Sequence, residues 1–121
     1  MAFEPDDPVL ERVSNRLMSQ GVYFEAADQG DDRLEIEYRT ISPGEGVPHQ
    51  QIGQVINTFR DVIDEGWEPT TIEATVIDVE EDHRRGRWRM EEGWLRALEE
   101  GELSEVEFSE QVLDTLEEPR V

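Results

Sequence analysis

Cysteine and lysine are both absent from this chain. Without cysteine there is no disulfide, no thiolate nucleophile and no sulfur ligand for a metal. Without lysine, all 11 basic residues are arginine, and no long ammonium stems spread over the surface. No run of about 18 apolar residues is present to cross a membrane, and the N-terminal residues lack the positive, apolar, small-residue order of a secretory signal. A cytoplasmic location is therefore expected. Histidine is scarce too. His49 and His83 have no second histidine at ligand spacing, so neither a zinc site nor any cofactor is expected.

What the chain has in excess is negative charge. Asp and Glu total 31, and the formal net charge is −20. Such a field costs compactness in dilute salt and is screened at high ionic strength. The balance resembles that of proteins from salt-in halophilic archaea, so a high-salt cytoplasm is the favoured explanation over an acidic adaptor or nucleic-acid mimic. Nonspecific binding of hydrated cations follows from the same carboxylates. The 121 residues fit one domain, and 36% hydrophobic residues falling into periodic runs argue against disorder.

The strongest period lies in 48–66. Ile52, Val55, Ile56, Phe59, Val62 and Ile63 fall on one stripe of a helix, Pro48 suits its first turn, and Gly66 suits a left-handed cap. Before it, Asp7 can cap a first helix that begins at Pro8 and buries Leu10, Val13 and Leu17, with Gly21 at its end. Segments 22–27 and 33–41 alternate with period two, so Val22, Phe24 and Ala26 share one face of the first strand and Leu34, Ile36 and Tyr38 one face of the second. Residues 29–32 form the turn between them. Residues 70–79 read as a third strand, with Ile72, Ala74 and Val76 inward and Ile77 and Val79 on the other side. Residues 86–90 give a fourth strand with Trp88 and Met90 inward, and 91–100 a short helix. Ser104 and Glu107 fit a capping box at the start of the last helix.

The order α-β-β-α-β-β-α-α predicts an α+β fold in two layers, a four-stranded, mostly antiparallel sheet packed by helices. The long helix also permits a parallel pair inside a mixed sheet. The domain is expected over 7–117, with 1–6 and 118–121 as frayed termini.

The runs Gly46-Val47-Pro48, Ile52-Gly53-Gln54-Val55-Ile56-Asn57-Thr58, Glu65-Gly66-Trp67-Glu68-Pro69 and Ile72-Glu73-Ala74-Thr75-Val76 resemble a family of small acidic haloarchaeal proteins. So does Gly101-Glu102-Leu103-Ser104-Glu105-Val106-Glu107-Phe108-Ser109. The resemblance covers about 22–116. That family has no assigned activity, so the resemblance implies a domain class and a cytoplasmic habitat and carries over no catalytic or binding residue. The element order is also distantly similar to small acidic dimeric chaperones that hold a client polypeptide.

Two surfaces stand out. Arg84, Arg85, Arg87 and Arg89 form the only basic island, beside His83 and Trp88. Arginine can fork onto phosphate and tryptophan can stack on a base, which is the nucleic-acid accessory reading. The plainer expectation is cross-strand pairing of Arg87 and Arg89 with Glu73 or Glu35. Bulk charge opposes nucleic acid. The second surface is apolar: Ile77 and Val79, with Trp67 near the helix exit, can form an exposed patch. The expected partner there is a second copy of the chain or another protein, unless the last helix covers the patch.

No enzyme constellation is visible. Asp31-Asp32 departs from a calcium loop, Gly44-Glu45-Gly46 lacks the rest of a phosphate loop, and His49 near Glu45 is too thin for an acid–base pair. A carboxylate-based enzyme is the remaining alternative to an interaction or regulatory module.

Overall fold

The computed structural model describes residues 8–41, 46–80 and 83–118. Its elements are α1 (Pro8–Met18), β1 (Val22–Gln29), β2 (Arg33–Thr40), α2 (His49–Asp64), β3 (Thr71–Asp78), β4 (Arg84–Met90), α3 (Glu92–Glu99) and α4 (Glu105–Asp114). The order is the expected one. Asp7, Gly44 and Glu45 lie outside the described residues, so the first cap, the loop reading and the His49–Glu45 pairing do too.

The sheet runs β1-β2-β3-β4. β1–β2 and β3–β4 are antiparallel, and the α2 crossover makes β2 and β3 a parallel pair at the centre. The helices form the second layer. Exposed ion pairs join neighbours within it: Arg12 Nη1 lies 3.2 Å from Glu65 between α1 and α2, and Arg60 reaches both Glu105 oxygens at 3.1 Å between α2 and α4. At such exposure these pairs set orientation more than stability.

Between the layers lies one core. Leu10, Val13 and Leu17 of α1 join Ile52, Val55, Phe59 and Val62 of α2, and Phe108 and Val112 of α4 join Trp88 and Met90 of β4. Phe24 stacks near Phe59 at 6.4 Å and near Tyr38 at 6.5 Å. Trp88 Nε1 donates to the Tyr38 hydroxyl at 3.0 Å, which gives both buried polar tips a partner. Burial raises the Tyr38 pKa well above the usual tyrosine value, opposed by the Trp88 hydrogen bond.

Helix ends follow the chemistry of their residues. Gly21, Gly66 and Gly101 stand after α1, α2 and α3 with positive φ, where a side chain would be strained. Ser104 Oγ accepts from the Glu107 amide at 3.1 Å and Glu107 Oε1 accepts from the Ser104 amide at 3.0 Å. Pro48 is the residue just before α2.

Two bulges change the expected faces. In β1 the register slips at Glu25, so Phe24 is opposite Tyr38 while Ala27, not Ala26, is opposite Ile36. The strict alternation of Val22, Phe24 and Ala26 therefore fails after Phe24: Ala27 packs on the core and Ala26 is exposed. In β4, Val76 is opposite Gly86 and Ile77 opposite Arg84, which leaves Arg85 as the extra residue.

The described part of the chain end lies against the sheet edge. Glu117 exchanges both backbone hydrogen bonds with Arg87, at 2.9 and 2.8 Å, and Thr115 Oγ1 accepts from the Arg89 amide at 2.8 Å. Glu118 accepts from the Val47 amide at 2.8 Å. The C-terminal segment thus caps the outer edge of β4, which would otherwise offer unpaired donors and acceptors to another strand.

Candidate functional site

Side chains on a strand alternate between faces, and among the described residues the helices pack on one face. The other face is built row by row from the register. One row holds Glu35, Glu73 and Arg89; the next holds Glu37, Thr75 and Arg87; a third holds Tyr23, Arg39, Ile77 and Arg84. In the first two rows β2 thus presents carboxylates and β4 guanidinium groups, on either side of β3, while Arg33 and Arg39 stand at the ends of the same β2 face.

The basic island does not act as one patch. Arg84, Arg87 and Arg89 are exposed, whereas Arg85 is 1% exposed, with Nη1 3.7 Å from the Asp78 carboxylate. The β4 bulge explains the split, because the inserted residue turns to the core side. Sequence alternation alone would have left Arg85 beside Arg87.

The expected cross-strand pairing is also corrected. Arg89 does stand opposite Glu73, but Glu73 Oε1 pairs with Arg33 Nη1 at 3.3 Å. Arg89 turns instead to Glu91, with Nη2 to Oε2 at 3.1 Å, and its guanidinium carbon lies 6.0 Å from the Trp94 ring centre. The Arg87 guanidinium and the Glu35 and Glu37 carboxylates make no ion pair among the described residues.

The apolar surface is rearranged in a comparable way. Ile77 is half-buried on the helix-free face, and Val79 is 38% exposed just beyond β3. Trp67 is not with them. Its ring tilts against Phe59 at 5.7 Å, and it lies before the start of β3, roughly 20 Å of strand from Ile77. In its place stand two residues the sequence reading did not single out, Met18 at 50% and Ile41 at 55% exposure. The Gly21 amide donates to Met18 O, Ile41 abuts Gly21, and the Val79 amide donates to Thr40 O, so all three lie at one end of the sheet. Their signal in the sequence was an apolar residue at, or one position past, an element's end.

A shallow cleft of about 170 Å³ opens between Glu73, Arg87, Arg89, Thr115 and Glu117. Ordinary small-molecule sites begin near roughly 300 Å³. Among the described residues no group of three or more His, Asp or Glu is arranged to hold a metal ion, and no helix is long and apolar enough to cross a membrane.

The sequence pattern of a protein family described as "Domain of unknown function (DUF8159)" matches residues 4–121. The chain belongs to this family. No curated protein and no solved structure matches it. The match spans the whole α-β-β-α-β-β-α-α arrangement, including the C-terminal segment that closes the β4 edge. Family membership therefore attaches to the complete two-layer unit and names no residue on its helix-free face.

Proposed function

We propose that this protein is a cytoplasmic interaction or regulatory module that works in high salt and acts by binding another polypeptide through its sheet. One observation carries the reading: a four-stranded sheet with one face free of described helices, bearing half-buried Ile77 and Thr75, on which Glu35, Glu37 and Arg87 make no ion pair among the described residues. The exposed apolar group of Met18, Ile41 and Val79 at the end of the same sheet adds to it. Halophilic origin accounts for the acidity, the missing lysine and the resemblance to haloarchaeal proteins. Under that origin the net charge carries no information about the partner.

The nucleic-acid reading keeps one supporting feature, the exposure of Arg84, Arg87 and Arg89. Glu35, Glu37 and Glu73 share their face and oppose it.

The test is size exclusion with light scattering, recorded at 260 and 280 nm, on protein from a halophilic host in about 2–3 M KCl, where its charges are screened. The reading expects a discrete particle larger than the 14.0 kDa chain, with protein-like absorbance, that Ile77→Glu reduces. A bare monomer would contradict it, and excess absorbance at 260 nm would favour nucleic acid.

A further inference from the structure

The charge pattern of the helix-free face specifies more than a generic partner. Of two in-plane two-fold axes, one across the strands and one along β3, the second gives the better match. Take two copies packed sheet to sheet. A two-fold axis running across the strands lays β4 on β4 and β2 on β2, so Arg87 meets Arg87 and Glu37 meets Glu37, and like charges oppose that docking. A two-fold axis running along β3 keeps each row at its own level and exchanges the flanking strands. Arg87 of one copy then lies over Glu37 of the other, and Arg89 over Glu35, each contact occurring twice.

The geometry points to an isologous homodimer, formed through the open sheet face about an axis along β3, in which the β2 carboxylates of each copy receive the β4 guanidinium groups of the other. This rests on the interaction-module reading and names its occupant as a second copy of the chain. Two further features fit. Thr75 and Ile77 fall on the axis, where small and apolar side chains can meet their own copies. Glu73, also on the axis, has its charge balanced by Arg33 at 3.3 Å. In the third row Arg39 of one copy would lie over Arg84 of the other, a like-charge contact that works against this docking, although Arg39 is already paired with Glu25 within its own chain.

The area is sufficient. Four strands about 4.8 Å apart and about eight residues long present roughly 500 Å² per copy. Two such faces bury roughly 1,000 Å², the lower bound for a specific interface. The helix layers remain outside, which keeps the acidic α4 surfaces of the two copies apart.

The experiment measures the dimer dissociation constant of the full chain by sedimentation and light scattering across protein concentration in about 2 M KCl, where long-range repulsion is screened. Four proteins are compared: wild type, Glu37→Arg, Arg87→Glu, and the double exchange. Each single change places like charges in contact at two symmetric points and is expected to weaken the dimer at least about tenfold. The double exchange reverses both columns and is expected to restore the constant to within about threefold of wild type. A wild-type dimer indifferent to the single changes, or weakened by both and not rescued by the double, overturns the proposed geometry and leaves the interaction reading standing. A discrete wild-type particle containing a different polypeptide also overturns the homodimer alone. A bare wild-type monomer overturns both.

Discussion

Glu37 and Arg87 flank Thr75 in a single row of the sheet, and neither charge has an ion-pair partner among the described residues. Two strand spacings separate them, roughly 10 Å, too far for a direct bond within the chain. Their charges are therefore available to something outside it. It follows that Glu37→Arg and Arg87→Glu should each change the stability of the isolated monomer by no more than about 0.5 kcal/mol. Urea melts at a dilution where only monomer is present would check this. A large loss would mean that these side chains already serve the fold.

The β4 edge depends on close approach of backbone. A Cβ built at Gly86 would meet Val47 Cγ2 at 2.5 Å and the Glu117 carbonyl oxygen at 2.8 Å. Gly86→Ala should therefore push the C-terminal segment off β4 and cost about 2 kcal/mol, as overpacking does. Hydrogen exchange at the Arg87 amide, which donates to Glu117 O, should accelerate. Unchanged protection there would contradict the account of this edge.

Arg85 and Asp78 present the reverse situation, a charge pair largely withdrawn from water. Asp78→Ala removes the carboxylate 3.7 Å from the buried Arg85 guanidinium and should cost about 3 kcal/mol, visible as a lowered melting temperature. Replacing the exposed Arg84 by alanine should have little effect on the same assay. Equal sensitivity at the two positions would contradict the bulge.

Much of this fold was legible because its signals are local. Ser104 and Glu107 announce the last helix by chemistry that needs no tertiary partner, and the stripe from Ile52 to Val62 fixes which side of α2 is inward. The bulges at Glu25 and Arg85 were not legible. They arise from the fit between neighbouring strands, and a shift of one residue reverses every face beyond it. That is why Ala26 was placed inward and Arg85 outward. The closing segment was missed for a related reason: the Glu117 bridge is backbone pairing, which carries almost no side-chain signature. The place of Trp67 at the exit of α2 does signal a ring folded back over the helix end, and it tilts there against Phe59; only its grouping with Ile77 and Val79 fails.

Tyr38 gives the fold a predicted alkaline limit. Its pKa is raised by burial, so below about pH 10 the hydroxyl is neutral in both folded and unfolded chains and its contribution is fully present. Above that pH the unfolded chain ionises first, and stability should fall by about 1.4 kcal/mol per pH unit for this group. Tyr38→Phe should remove that slope, at a cost of about 1–2 kcal/mol near neutrality because Trp88 Nε1 loses its acceptor. Urea melts between about pH 8 and 11 would compare them. Equal slopes would contradict the assignment to Tyr38.

The most direct test of the sheet face as an interface uses the absence of cysteine. Thr75→Cys puts one thiol where the proposed axis passes, and Glu110→Cys puts one on the exposed surface of α4. Each variant would be treated in high-salt buffer with a short bis-maleimide matched to the roughly 10 Å between facing sheets. The account predicts a covalent dimer in high yield from the Thr75 variant and little from the Glu110 variant. No cross-link at Thr75, or equal yields at both positions, would contradict it.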